Sequence, residues 1–147
     1  MVSAARAFSR SGEHAACWFA LGAAGVALSG RGTERRLAFR RGLLVTGVAY
    51  GLNYAVKLSV RRPRPRLDDL PPLSPVVSDL SFPSAHATTS FAAAAAYSRA
   101  LPLGAPLLYA SAALFALSRP YLGVHYPSDV AAGALLGTVT GRLLRCR

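Results

Sequence analysis

The stretch SFPSAHATTSFAAAAAY, residues 81–97, joins a turn sequence to an alanine-rich segment. Alanine has the highest helix propensity, and a run of small side chains lets helices pack closely in lipid. Ser84 is a residue type that caps helices, and the free N–H groups behind such a cap attract anions. His86 lies within the same first turn. The stretch therefore predicts a helix whose N-terminus is suited to hold an anion.

The remainder of the chain has the composition of a membrane protein. Of its 147 residues, 52% are hydrophobic and only 16% are charged, too few charges for an ordinary soluble surface. Apolar segments of roughly 16–19 residues recur, slightly short of the ~20 that a membrane helix needs, and flanking arginines can extend them by snorkelling. They are His14–Ser29, Gly42–Val60, Ala85–Leu101, Leu103–Ser118 and Ser128–Leu144.

These segments predict an all-α fold, an integral membrane helical bundle with about five transmembrane helices. The chain is long enough for one domain, so we assign residues 1–147 to a single transmembrane domain. The first segment follows Arg6 and Arg10 and has an alternative interpretation as the core of a signal peptide, although no clear cleavage site follows it.

The net charge of +11 comes almost entirely from arginine, since Lys57 is the only lysine. The arginines cluster between apolar segments, which favours a multi-pass protein of the cell membrane over a nucleic-acid-binding protein. The positive-inside rule places one set of clusters in the cytoplasm: Arg31, Arg35, Arg36, Arg40, Arg41, Arg99, Arg142, Arg145 and Arg147. The N-terminus and the loops Arg61–Pro83 and Arg119–Pro127 are then extracytoplasmic.

Three polar segments converge on that extracytoplasmic surface if five helices span the membrane. They are KLSVRRPRP at residues 57–65, PSAH at residues 83–86 and SRPYLGVHYPSD at residues 118–129. Lys57 offers a point charge, while Arg64 and Arg119 offer planar forks, a combination that suits the oxygens of a phosphate group.

Two histidines complete the candidate chemistry. His125 precedes Asp129 by four residues across a helix start, so the carboxylate can bond one imidazole nitrogen and leave the other free as a nucleophile. In such a site one histidine would attack the phosphate and the other would protonate the leaving oxygen, and His86 is the second histidine on this surface. The chain contains no HExxH or CxxC pattern, and Cys17 and Cys146 match no ligand spacing. We therefore predict phosphoryl transfer with no metal and no cofactor.

The three motifs K-x6-RP, PS-x-H and SR-x5-H-x3-D resemble, in order and spacing, the signature of the type 2 phosphatidic acid phosphatase superfamily. The resemblance implies an all-helical lipid phosphatase that works through a phosphohistidine intermediate. It implies His125 as nucleophile, Asp129 as its orienting partner and His86 as the acid. It also implies that the phosphoryl oxygens are bound by Lys57, Arg64, Ser84, the Ala85 amide and Arg119. Ala85 stands where the family commonly has glycine, which narrows the expected pocket.

Several alternatives remain open at this point. The favoured substrate is a polyprenyl pyrophosphate or polyprenyl-phosphosugar, and the rivals are phosphatidic acid and phosphatidylglycerophosphate. An inactive relative that only binds lipid phosphate is the non-enzymatic alternative. Vanadium haloperoxidases share the pocket of this family, but they are larger and soluble. The expected partners are a lipid phosphate and membrane lipids, without nucleic acid. Arg61, Arg62 and Arg66 are left outside the predicted site, because they can equally attract lipid head groups.

Overall fold

Six α-helices and one short 3₁₀ helix form the part of the chain that the computed structural model describes, residues 2–65, 73 and 78–145. The α-helices are α1 (Val2–Ser11), α2 (Ala16–Leu28), α3 (Glu34–Val60), α4 (Ala85–Tyr97), α5 (Ala105–Tyr121) and α6 (Pro127–Arg145). The 3₁₀ helix Glu13–Ala15 joins α1 to α2. Over these residues the only extended pairing is an isolated bridge between Pro63 and Leu80. The prediction of an all-α fold is confirmed.

Helix α4 lies at the centre of the bundle because its alanines leave room on every side. Ala92, Ala93, Ala94 and Ala95 are completely buried. On α6, a Cβ added at Gly137 would overlap the carbonyl oxygen of Thr88 on α4. Small residues on both helices therefore permit a backbone-to-backbone approach that larger side chains would prevent.

Helix α2 is fastened to α4 by two buried hydrogen bonds. The indole Nε1 of Trp18 donates to Ser90 Oγ at 2.8 Å, and the Tyr97 hydroxyl donates to the Trp18 carbonyl oxygen at 3.0 Å. The Tyr97 ring lies where a Cβ on Gly42 of α3 would be. The first apolar segment is thereby packed against both α3 and α4.

The amphipathic helix α1 was not predicted from the sequence. It begins well before the first apolar segment, and its Phe8 ring stacks on Phe115 of α5 with centroids 4.3 Å apart. Its Ser9 is buried at the end of α5. Burial of one face of this helix depends on contacts with α5, which no local sequence pattern indicates.

Helix α3 begins at Glu34, not at Gly42, because Thr33 caps it by accepting a hydrogen bond from the Arg36 N–H at 3.2 Å. In the described part of the chain, α3 is the one helix long and apolar enough to cross a membrane by length and composition. The apolar helix Glu13–Leu28 is shorter. The prediction of five spans remains a prediction.

The close approach of α6 to α4 is testable with one methyl group. Gly137→Ala should lower the free energy of unfolding by about 1–3 kcal/mol, because the added Cβ has to displace the Thr88 backbone. The control is Gly47→Ala on α3, where an added Cβ meets nothing within 4 Å. We expect that control to be neutral or more stable by about 0.5–1 kcal/mol. Thermal unfolding in detergent micelles compares the two, and equal midpoints would contradict the close contact.

Candidate active site

A cavity of about 190 Å³ opens at the end of the bundle where α3 and α5 finish and α4 begins. Most of the side chains singled out from the sequence line it. They are Lys57, Arg64, Ala85, His86, Arg119 and His125. Three sequence segments that lie far apart in the chain therefore contribute to one enclosed space.

Three cations face this cavity from different elements. Lys57 occupies the last turn of α3 with 6% of its surface exposed, and its Nζ donates to the Leu80 carbonyl oxygen at 3.0 Å. Arg119 of α5 is equally buried, and the half-buried Arg64 lies in the loop after α3. None of the three forms an ion pair with an acid that the structure describes. Burying cations without a counterion is costly, so the geometry favours an anionic ligand.

Arg64 is oriented by backbone oxygens. Its Nε donates to the Ser78 carbonyl oxygen and its Nη1 to the Val124 carbonyl oxygen, each at 2.7 Å. Burial lowers the pKa of the guanidinium, while the carboxylates of Asp129 and Asp79 act in the opposite direction. The loop 61–65 is thereby attached both to residue 78 and to the segment that carries His125.

Ser84 departs from its predicted role as a side-chain cap. It is the N-cap residue of α4, but its side chain makes no capping hydrogen bond. The hydroxyl is completely buried and has no hydrogen-bond partner within the described residues. Arg119 Nε is unpartnered in the same sense. Buried donors without partners are rare, and these two are available to the oxygens of a bound anion.

The buried Asn53 of α3 holds the start of α4 in place. Its Nδ2 donates to the Pro83 carbonyl oxygen at 3.2 Å and to Thr88 Oγ1 at 2.9 Å. The sequence analysis did not identify this residue. The signal was present, because an asparagine inside an apolar segment needs buried hydrogen-bond partners.

The hydrogen-bond geometry indicates which imidazole nitrogen of His125 carries the proton. Its Nε2 lies 3.3 Å from Arg64 Nη1, and a guanidinium can only donate, so Nε2 presents its lone pair. The proton of the neutral ring is then on Nδ1, which lies 3.5 Å from Asp129 Oδ2 without a hydrogen bond in this geometry. The lone pair thus points toward the cationic side of the cavity, as a nucleophile requires.

Burial lowers the pKa of His125 far below its ordinary value, and the positive charges of Arg64, Arg119 and Lys57 lower it further. The Asp129 carboxylate beside the ring is held by two other donors. Its Oδ2 accepts from the Tyr126 N–H at 2.9 Å and its Oδ1 accepts from Arg62 at 3.0 Å. The lowered pKa keeps the His125 ring neutral.

His86 contacts the unpredicted helix α1. The Nε2 of His86 lies 3.0 Å from the Ser9 carbonyl oxygen, and a carbonyl can only accept, so Nε2 carries a proton. Arg119 Nη1 donates to the Ser9 hydroxyl at 2.6 Å. Ser9 therefore holds two site residues at once, a role that no local sequence pattern indicated.

Arg62 was left outside the predicted site, and the structure places it against Asp129. Its Nη1 lies 3.0 Å from Asp129 Oδ1 and 2.8 Å from Ser128 Oγ. Its guanidinium also covers the Tyr126 ring at 4.0 Å from the centroid. Arg61, by contrast, is exposed and donates to the Leu58 carbonyl oxygen of its own helix at 3.0 Å. Arg66 and Cys146 lie outside the described residues.

Known proteins are similar to this chain over most of its length. The family model described as PAP2 superfamily matches residues 40–146. Decaprenylphosphoryl-5-phosphoribose phosphatase of Mycobacterium tuberculosis is 43% identical over 152 residues, covering 98% of this chain and 78% of the relative. The protein of the same name from Mycolicibacterium smegmatis is 43% identical over 137 residues, with 90% and 71% covered.

A solved structure is also similar. The crystal structure of the first transmembrane PAP2 type phosphatidylglycerolphosphate phosphatase from Bacillus subtilis matches with a TM-score of 0.56 and 26% identity. The match covers 98% of this chain and 84% of that one.

The contact between Arg62 and Asp129 predicts a positioning effect. Arg62→Ala should lower kcat about 10–100-fold with little change in KM, because a hydrogen bond to a charged group contributes about 1.5–3 kcal/mol. Arg62→Lys keeps the charge without the fork and should recover part of the loss. Arg61→Ala is the matched control and should stay within about twofold of wild type. A rise in KM with kcat unchanged would contradict a role in orienting Asp129.

The environment of His125 predicts that it stays neutral across the physiological range. Burial and neighbouring cations disfavour the imidazolium, so the pKa moves down and protonation requires a pH well below the ordinary value of about 6.5. The ¹⁵N signals of its ring, assigned by their absence in His125→Gln, should not shift between pH 8 and pH 5 in micelles. N-acetylhistidine in the same micelles is the control. A midpoint at or above 6.5 would refute this electrostatic picture.

Proposed function

The chain belongs to the PAP2 superfamily, and from that premise we propose an integral membrane phosphatase that hydrolyses the phosphate monoester of a polyprenyl-linked phosphosugar. The observation that carries the proposal is the cation cluster without a counterion. Lys57, Arg64 and Arg119 face one cavity, and no acid in the described residues pairs with them. A phosphate monoester supplies the missing negative charge.

The proposed reaction uses two steps of phosphoryl transfer. In the first, the lone pair of His125 Nε2 attacks phosphorus, the bond from phosphorus to the ester oxygen breaks, and His86, entering the step as an imidazolium, gives its Nε2 proton to that oxygen and becomes neutral. In the second, water attacks phosphorus, neutral His86 accepts a proton from the water, the bond from phosphorus to His125 Nε2 breaks, and inorganic phosphate leaves. The dephosphorylated lipid sugar is the other product.

The surrounding residues would stabilise charge during both steps. Lys57, Arg64, Arg119, the Ser84 hydroxyl and the Ala85 amide would bind the phosphoryl oxygens, where negative charge is spread in the transition state. Asp129 would hold His125 by the proton on Nδ1 and stabilise the positive charge that develops on the ring. In the first step the ester oxygen would take the place of the Ser9 carbonyl as the acceptor from His86 Nε2.

The molecule would be a multi-pass protein of the cell membrane with the cavity on the extracytoplasmic side. The surface of the bundle carries many exposed leucines, among them Leu44, Leu107 and Leu135, as expected of helices that face lipid. The arginine-rich turn between α2 and α3 lies at the far end from the cavity. The positive-inside rule then assigns that far end to the cytoplasm.

The substrate preference follows the relatives. Both mycobacterial proteins are named for a decaprenylphosphoryl phosphopentose, at 43% identity over most of this chain. Phosphatidylglycerophosphate is the second candidate, supported by the solved Bacillus subtilis structure at 26% identity. Against an inactive lipid-phosphate binder stands the Nε2 lone pair of His125, which faces the cations of the cavity and which binding alone does not need.

Phosphate release by the purified protein in detergent, with EDTA present, tests the proposal. Wild type should release phosphate from a polyprenylphosphoryl 5-phosphopentose faster than from phosphatidic acid or phosphatidylglycerophosphate. His125→Ala should lose about 10³-fold or more in kcat, because the nucleophile is removed. Cys17→Ala, a partly buried residue of α2 away from the cavity, is the control.

Two outcomes would contradict the proposal. Loss of activity on addition of EDTA would overturn the metal-free mechanism. Retention of activity by His125→Ala would remove His125 as the nucleophile. Rapid acid quench of the wild type with ³²P-labelled substrate should trap an acid-labile phosphoprotein, and that species should be missing from His125→Ala.

A further inference from the structure

The cavity has a second wall that phosphoryl transfer does not use. This part of the lining consists of Glu13, His14, Tyr50 and Tyr54. The His14 Nδ1 lies 3.0 Å from the Tyr50 hydroxyl, so the two side chains form one hydrogen-bonded unit across 36 positions of sequence. The sequence analysis attached no role to any of these four residues.

The backbone of the 3₁₀ helix brings Glu13 and His14 to this wall. Gly12 lies directly against the site, since a Cβ added there would be 3.2 Å from Cδ2 of the His86 ring and 2.7 Å from Phe115. His14 and Ala15 then adopt left-handed φ angles of 51° and 59°, uncommon for residues that carry a Cβ. Two such residues in succession indicate that the surrounding packing dictates the path of the chain.

The chemistry of the wall matches a neutral polyhydroxylated group. The Glu13 carboxylate can accept hydrogen bonds from two hydroxyl groups, and the Tyr50 hydroxyl and the His14 ring offer both donors and acceptors. The rings of Tyr50 and Tyr54 present apolar faces with polar tips. A carboxylate at this position disfavours a second phosphate, and with the acids and bases that the structure describes Glu13 forms no ion pair.

We propose that Glu13, His14, Tyr50 and Tyr54 form a sugar subsite that recognises the hydroxyl groups of the substrate next to the scissile phosphate. The inference rests on the proposed function, because it requires the phosphate to occupy the cation cluster. The subsite selects phosphosugar lipids over glycerolipid phosphates. A site built to hydrogen-bond hydroxyl groups discriminates strongly against a ligand that lacks them, since its polar groups are then left without partners.

The test compares two lipids and two nearly isosteric variants. The lipids are a polyprenylphosphoryl 5-phosphopentose and phosphatidic acid, and the variants are Glu13→Gln and Tyr50→Phe. We expect each variant to lose at least tenfold more kcat/KM on the phosphopentose lipid than on phosphatidic acid, with the loss mainly in KM. The matched controls are Glu34→Gln in the first turn of α3 and Tyr121→Phe on α5, both outside this cavity.

A deoxypentose version of the same lipid gives a readout that a folding defect does not change. Wild type should have a lower kcat/KM on the deoxy lipid than on the parent lipid. In the variant that lacks the side-chain group contacting the deleted hydroxyl, the ratio of the two kcat/KM values should be at least tenfold smaller. Thermal unfolding midpoints of the variants in micelles check that each one is folded.

The outcomes separate the two proposals. Phosphate release from the phosphopentose lipid by wild type, with equal losses on both lipids in the variants, would overturn the subsite and leave the proposed function standing. Absence of release from that lipid by wild type, with phosphatidic acid hydrolysed, would overturn both. A selective loss in the variants, together with reduced discrimination against the deoxy lipid, would establish the subsite.

Discussion

The positive charge enclosed at one end of the helix bundle is the constraint on which the rest of the site depends. Lys57 and Arg119 are buried, Arg64 is half-buried, and no described acid pairs with any of them. Such an arrangement is unfavourable by several kcal/mol per charge unless an anion enters. Backbone carbonyls that accept from Lys57 and Arg64 hold two of the cations in place. Under the proposed function these cations would be positioned before phosphate binds, so that little reorganisation would be needed during the reaction.

The ion pair between Arg62 and Asp129 lies beside the cavity and has a different role. Arg62 pairs with one carboxylate oxygen of Asp129, while the Tyr126 backbone N–H donates to the other. The carboxylate is therefore fixed next to His125, and in the described part of the chain it forms no ion pair with the cations that face the cavity. Two arginines separated by a single proline, Arg62 and Arg64, consequently contact different partners, the Asp129 carboxylate and the His125 ring that lines the cavity.

Helix α1 and the 3₁₀ helix cover one side of the cavity, although neither belongs to the three sequence motifs. Ser9 contacts His86 and Arg119, and Gly12 approaches the His86 ring. The same segment carries Glu13 and His14 to the lining of the cavity. Under the proposed function, a change in the N-terminal segment would alter substrate preference while Lys57, Arg64 and Arg119 stay in place.

The sequence by itself determined the all-α class and identified the residues of the three motifs. Both follow from local properties of the chain, namely the length of the apolar segments and the spacing of residues within each motif. Alanine at five successive positions from Ala92 predicted close helix packing, and Gly137 opposite Thr88 shows how close it is. Tertiary structure alone decided the roles of Ser9, Asn53 and Arg62, whose partners lie 77, 30 and 67 positions away in the chain. It also decided that Ser84 keeps its hydroxyl free and that His125 presents Nε2. Hydrogen-bond direction and burial depend on which distant groups come together, and no local pattern in the sequence encodes those distances.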